Sequence, residues 1–362
     1  MAKTFFKHIF RRRHKSAGFT LIELLVTTIV STMVISGLLY FVVQLMESDK
    51  KEFARSETER EMSMALDYMA SELQEAVYVY EGECLTGQGS LKDANYCPGI
   101  VSKIGLASNN NVKPILAFWK IEQLPYVENA TGTAAFPTNC ESNFSLEDDK
   151  KKCRALLITR NSYTLVVYSL RTDNDGSWDG PARLTRYQLR QYAPVPPADL
   201  SRMTQTPNYI DPTAAGSIGF QIWPCDKNDT GALCPAQQAY SEGAGGATKN
   251  ADVLVDLVDT GNLPDYEDLN PNLSGVQPCP EPSVPSPTPS TYSLASASNN
   301  TSFYACVRRP SAGQSQDVIV YLRGSALKRA SLPANNKDSR FLPIVRAQVQ
   351  TRSVFNRIPP KL

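Results

Sequence analysis

The sequence predicts an α+β protein in which one long N-terminal helix packs on an antiparallel β-sheet head with long, disulfide-tied loops. Three observations carry that prediction. An apolar segment at 18–46 runs on into a helical pattern that reaches Tyr80. Short runs rich in β-branched and aromatic residues recur from Ile115 onward. Eight cysteines all lie beyond the apolar segment. The elements divide the chain into 1–18, a basic leader expected to be removed; 19–46, a membrane-spanning helix; 47–80, an amphipathic neck; and 81–362, the head.

The leader holds Lys3, Lys7, Arg11, Arg12, Arg13 and Lys15 and no acid. Basic flanks stay cytoplasmic, so the chain is expected to cross a plasma (inner) membrane once, with the head outside. From Leu24 to Met46 no residue is charged. At ~1.5 Å per residue this stretch spans roughly 34 Å as a helix, enough for a hydrocarbon core of about 30 Å. Glu23 is the one charge in the apolar segment, five residues past Gly18. An acid there is costly inside a bilayer and is read as functional. In an ordinary secretory signal the cleavage site follows the apolar core. Here the glycine precedes it, so cleavage at Gly18 removes the basic part and leaves the apolar helix in place.

The neck contains neither Pro nor Gly through Tyr80, and Met62, Ala65, Met69, Leu73, Ala76 and Tyr80 recur three and four apart. That is one apolar helix face, expected to pack on a sheet, with Gly82 as the stop signal. Strands are expected at 115–119, 154–160, 163–171, 183–192, 218–223, 303–309, 317–324 and 342–352, with a tight hairpin at Asn161-Ser162. The run at 251–258 is open between helix and strand. Polar inserts are expected at 192–208, 241–250 and 278–302, the last too Pro/Ser-rich for a core strand.

Composition narrows the function. Both histidines, His8 and His14, lie in the leader. A processed chain would have none, which excludes His-based acid–base chemistry, Ser-His-Asp triads and His-ligated zinc. Loss of the leader moves the net charge from +1 to about −5, which gives no electrostatic case for nucleic acid. No cofactor is expected. An even cysteine count on the exported side suits disulfides. Eight cysteines allow 105 connectivities. They fall as four local couples, so the expected bridges are Cys84–Cys97, Cys140–Cys153, Cys225–Cys234 and Cys279–Cys306. The run RTDNDGSWDG at 171–180 could offer Asp173, Asp175 and Asp179 to calcium, although Arg171 stands where an EF-hand wants an acid or amide. The same residues suit a hairpin tip, and no metal is the primary expectation. Trp119, Trp178 and Trp223 could stack on sugars or fill strand cores.

The run Gly18-Phe19-Thr20-Leu21-Ile22-Glu23-Leu24, behind its basic leader, resembles the class III signal of type IV pilins and type II secretion pseudopilins. The resemblance implies cleavage after Gly18 by a prepilin peptidase and N-methylation of Phe19. It also implies that Glu23 acts in assembly, facing the N-terminal amine of a neighbouring subunit. SELQEAVYV at 71–79, LVDLV at 254–258 and IVRAQVQTR at 344–352 look like the J/W class of minor pilins. AVYVYEGECL and the cysteine-bearing inserts are similar to cyanobacterial pseudopilins of hormogonium polysaccharide secretion. The implied partners are other pilins in a filament, the peptidase, an inner-membrane assembly platform, the membrane and a polysaccharide. The expected function is that of a minor pilin near a filament tip, supporting piliation, motility or polysaccharide secretion. Two other readings stay open: a membrane-tethered adhesin or polysaccharide-binding module, and a membrane-anchored enzyme, which the absence of histidine disfavours.

Overall fold

A computed structural model describes residues 18–89, 96–104, 111–123, 140–143, 147–173, 176–195, 199–206, 209–213, 219–225, 251–260, 279, 292–295, 302–308, 315–336 and 338–354. The chain divides into two compact units, Met1–Phe53 and Ala54–Leu362. One helix, α1 (Leu21–Gln74), belongs to both. In the first unit it is exposed from Leu21 to Lys50. Its threonines Thr27, Thr28 and Thr32 donate to the carbonyls of Leu24, Leu25 and Ile29 at 2.8–2.9 Å. Hydroxyls satisfied in this way are tolerable in an apolar medium that offers no water.

The second unit is built from antiparallel sheets. β1 (Ala76–Val79), β2 (Val112–Gln123), β3 (Asn161–Arg171), β4 (Ala182–Leu189) and β7 (Asp252–Val258) form a five-stranded sheet in the order β1-β2-β3-β4-β7. β8 (Tyr292–Leu294), β9 (Phe303–Arg308), β10 (Ser315–Arg323) and β11 (Ile344–Val354) form a second, in the order β11-β10-β9-β8. β5 (Tyr192–Val195) and β6 (Asp199–Gln205) pair as a separate ribbon. The architecture is α+β: a long helix on antiparallel sheets with disulfide-tied loops.

The main core lies where the neck meets both sheets. Met62, Ala65, Leu66, Met69 and Leu73 of α1 pack with Phe118, Val166, Leu184 and Val255 of the first sheet and Phe303, Val318 and Val320 of the second. Each of these side chains larger than Ala65 contributes about 1.5–3 kcal/mol by leaving water. The opposite face of the five-stranded sheet has its own core around Tyr80, Leu85, Ile100, Trp119, Val167, Tyr187 and Trp223. Gln316 links the sheets: its side-chain amide, 2% exposed, donates to Val79 O and accepts from Val79 N at 3.0 and 2.9 Å. A bulge in β7 opposite β4 makes a further link. There Asp256 accepts from the N–H groups of Asp179 and Gly180, while Leu257 O accepts from Ser325 N.

Several sequence expectations are corrected. The neck helix ends at Gln74, not Tyr80. Val77, Tyr78, Val79 and Tyr80 are β-branched and aromatic, and the ladder to β2 wins over the helical period. Gly82 opens a short helix, α2 (Gly82–Thr86), instead of closing a long one, and the short helices α3 (Ile100–Lys103) and α4 (Cys140–Asn143) follow. Residues 154–160 are not a strand. They belong to α5 (Glu147–Thr159), whose acidic start favours a helix and which ends on Arg160 at φ +51°. A short apolar run cannot by itself distinguish the two. No hairpin turns at Asn161-Ser162, since β3 pairs with β2 and β4. Of the expected strand 218–223, residues 219–223 are not a strand: residues 219–225 coil as successive turns that bury Ile222, Trp223 and Cys225. The insert 192–208 contains the β5–β6 ribbon. The open run 251–258 is a strand. The insert at 278–302 contributes the edge strand β8. The insert at 241–250 lies outside the described residues.

Candidate functional site

The N-terminal segment is assembled by local rules. Thr20 caps α1: its Oγ1 accepts from Glu23 N at 3.3 Å, and its carbonyl accepts from Glu23 N and Leu24 N at 3.1 Å. Thr-x-x-Glu is the signature of a capping box, and an acid in the first turn also suits the positive end of the helix dipole. The sequence reading used Thr20 only as part of the motif; the spacing to Glu23 was the signal for its capping role. Gly18, Phe19 and Glu23 are exposed, Phe19 at 75%. Nineteen further large apolar residues from Leu21 to Phe53 are exposed as well. So wide an apolar surface is stable only in a bilayer or against other apolar helices.

In the head, Glu72 is 6% exposed and sits at the centre of an ion cluster. Arg186 donates through Nε and Nη2 at 2.8 and 2.6 Å, Lys120 Nζ at 2.7 Å and Tyr168 OH at 2.5 Å. Burial pushes the carboxyl pKa up, but the hydrogen bonds from Arg186, Lys120 and Tyr168 outweigh it and lower the pKa to about 2. The same carboxylate raises the pKa of Tyr168, beyond what burial alone does. Sequence reasoning missed this cluster. Its one local signal was a glutamate inside the apolar face between Met69 and Leu73.

The structure bridges Cys84 to Cys97, Cys140 to Cys153 and Cys279 to Cys306. Cys225 is disulfide-bonded, and Cys234 lies outside the described residues. The acids weighed for calcium are otherwise engaged. Asp173 takes a two-point contact from Arg171 at 2.7 Å and a third from Arg183 at 3.0 Å. Asp179 pairs with Lys328 at 2.7 Å. Asp175 lies outside the described residues. Arginines thus sit on both oxygens of Asp173 and a lysine on one of Asp179, and among the described residues no group of three or more His, Cys, Asp or Glu could hold a metal. Trp119 and Trp223 are fully buried and pack edge to face 5.2 Å apart. Trp119 Nε1 donates to Tyr80 OH and Trp223 Nε1 to the Ile210 carbonyl, so both serve the core. Trp178 is half-buried under the Arg183 guanidinium, 4.8 Å from its ring centre.

A capped, exposed apolar helix behind a Gly-Phe pair, with one acid in its first turn, has a recognised counterpart. Residues 13–39 match the prokaryotic N-terminal methylation motif. The match contains Gly18, Phe19 and Glu23 and ends inside α1. This segment is therefore type IV pilin-like, that of a membrane-anchored, pilus-associated protein. Such a signal implies processing by prepilin peptidase and assembly with other pilins. No curated protein and no solved structure matches the chain. The pilin-like assignment thus rests on the motif and the helix that carries it, and the β-rich head stands apart from it.

Proposed function

We propose that this pilin-like chain is a minor pilin or pseudopilin incorporated at or near the tip of a type IV pilus-like or secretion filament. There it supports piliation, motility or polysaccharide export. The observation that carries the reading is the methylation motif continuous with α1, which is exposed and apolar at one end and part of the head's core at the other. In this reading cleavage after Gly18 frees the Phe19 amine, which is then methylated. The apolar helix leaves the bilayer and packs among neighbouring helices. Glu23 meets the amine of the adjacent subunit, and the pair offsets the cost of a lone charge in a low-dielectric bundle. A large head with long inserts fits a tip better than a close-packed shaft. The role is structural, not enzymatic.

Quantitative proteomics of sheared filaments tests the assignment. The expected result is a chain present at a small fraction of the main subunit, with reduced piliation, motility or polymer export on deletion. A chain that dominated the filament would be a major pilin. Absence from filaments, with piliation, motility and export intact on deletion, would leave a tethered binding module as the better reading.

A further inference from the structure

The start of α1 falls just past the Gly18–Phe19 peptide bond. Gly18, Phe19 and Thr20 are exposed and lie outside the helix, which begins at Leu21. Thr20 fixes that start: its carbonyl accepts from Glu23 N and Leu24 N at 3.1 Å, and its Oγ1 accepts from Glu23 N at 3.3 Å. Among the described residues no hydrogen bond holds the Gly18 carbonyl. A Cβ on Gly18 would meet no atom within 4 Å, so packing does not set the boundary.

The sequence offers a second start. Ser16 stands four residues upstream of Thr20 and has the same capping chemistry. A helix begun after Ser16 would take in Ala17, Gly18 and Phe19, and Ile22 N would then donate to the Gly18 carbonyl. Three features weigh against that start. The Thr20 cap is worth about a factor of five in helix stability. Gly18 inside a helix costs about as much relative to alanine. Arg13 and Lys15 would lie beside the positive end of the helix dipole. Each margin is small, so the loss of one shifts the balance between the two starts.

We propose that Thr20 is a positioning residue for processing: its cap starts α1 beyond the cleavage site and leaves the Gly18 carbonyl free for the peptidase. Hydrolysis adds water across the Gly18–Phe19 amide. The water oxygen joins the Gly18 carbonyl carbon, the C–N bond breaks, and the proton goes to the Phe19 nitrogen, leaving a carboxylate and an ammonium group. Charge develops on the Gly18 carbonyl oxygen, which the enzyme must meet with donors of its own. An oxygen already shared with Ile22 N and packed in a helical turn is poorly placed for that. The proposal rests on the pilin-like reading, which supplies the peptidase, and adds to it the role of Thr20.

The test follows cleavage of the full-length protein in detergent by a purified prepilin peptidase, and amide hydrogen exchange of the same protein without enzyme. Thr20→Val keeps the side-chain shape and removes the acceptor. Its kcat/KM should fall about two- to fivefold, the range a lost cap allows. The amides at positions 20 to 22 should exchange more slowly than in wild type, because a start at Ser16 gives them carbonyl partners upstream. Thr20→Ser should match wild type in both measurements. Ser16→Ala added to Thr20→Val removes the rival cap and should restore part of the rate together with fast exchange. A Thr20 side chain that merely touched the peptidase would not be rescued in this way. Equal cleavage of wild type and Thr20→Val, slow cleavage of Thr20→Ser, or no rescue by Ser16→Ala would each overturn this proposal alone. A wild-type chain that the peptidase leaves uncut would sink the processing reading and this proposal with it.

Discussion

A carboxylate buried among apolar side chains ordinarily gives up its charge; Glu72 keeps its own because three donors converge on it. Its pKa, about 2 in the folded chain against an ordinary 4.5, ties stability to pH. The contribution is complete above about pH 4.5 and is lost as pH falls through about 2, since the unfolded chain takes up the proton first. It amounts to roughly 3 kcal/mol at neutral pH. Urea midpoints should therefore fall on acidification below about pH 5, and Glu72→Gln should flatten that slope. Glu72→Ala should cost about 3–5 kcal/mol, because Arg186 and Lys120 stay buried without their counter-charge. Gly180 makes a second residue-level prediction. A Cβ there would meet Leu257 N at 2.2 Å and its Cα at 2.5 Å, and backbone cannot step aside. Gly180→Ala should lose about 3 kcal/mol in thermal or denaturant unfolding. At the N-terminus two roles of one acid can be separated. Thr20→Val removes the cap at about 1 kcal/mol of local helix stability. Glu23→Gln removes only the charge. If Glu23 serves assembly, Glu23→Gln should insert in membranes normally yet enter filaments poorly; equal filament incorporation would make the acid a helix-start feature alone.

At the scale of elements, the neck approaches the second sheet at Gly324, where a Cβ would lie 2.8 Å from Thr58 Cγ2 and 3.0 Å from Met62 Cγ. Gly324→Ala should cost about 1–2 kcal/mol, and Thr58→Ser, by deleting that methyl, should recover part of it in a double-mutant cycle. The bridges at sequence separations of 13, 13 and 27 should each be worth about 3 kcal/mol, read from unfolding of paired Cys→Ser variants. What could be read in advance follows the same division between local and distant. The Gly-Phe-…-Glu signal, the apolar span and the neighbouring cysteines are local patterns, and periodicity or proximity exposes them. The Glu72 cluster joins residues 48 to 114 positions apart, and no window of sequence contains it. The helix end failed for another reason: the neck's three-and-four spacing continued into Ala76 and Tyr80, which are buried in the structure but from strand β1 and the residue just after it. FQIW at 220–223 is a short apolar run whose conformation is set by what it docks on, while LLIT in α5, with Ile158 82% exposed, continues a helix begun at the acidic residues before it; the period of neither run decides.

For the whole molecule, the first measurement is the mass of the protein isolated from membranes. A processed chain should begin at methylated Phe19; an intact Met1 terminus, or a cut beyond residue 40, would remove the basis for pilin-like assembly. The helix that carries the apolar span is also a wall of the head's core, with no linker inserted in its 54 residues. Its part from Met62 to Leu73 is held by the main core and by the four contacts on Glu72, so it cannot unwind without exposing apolar side chains and a buried charge, and its amides should exchange with solvent only on global unfolding of the head.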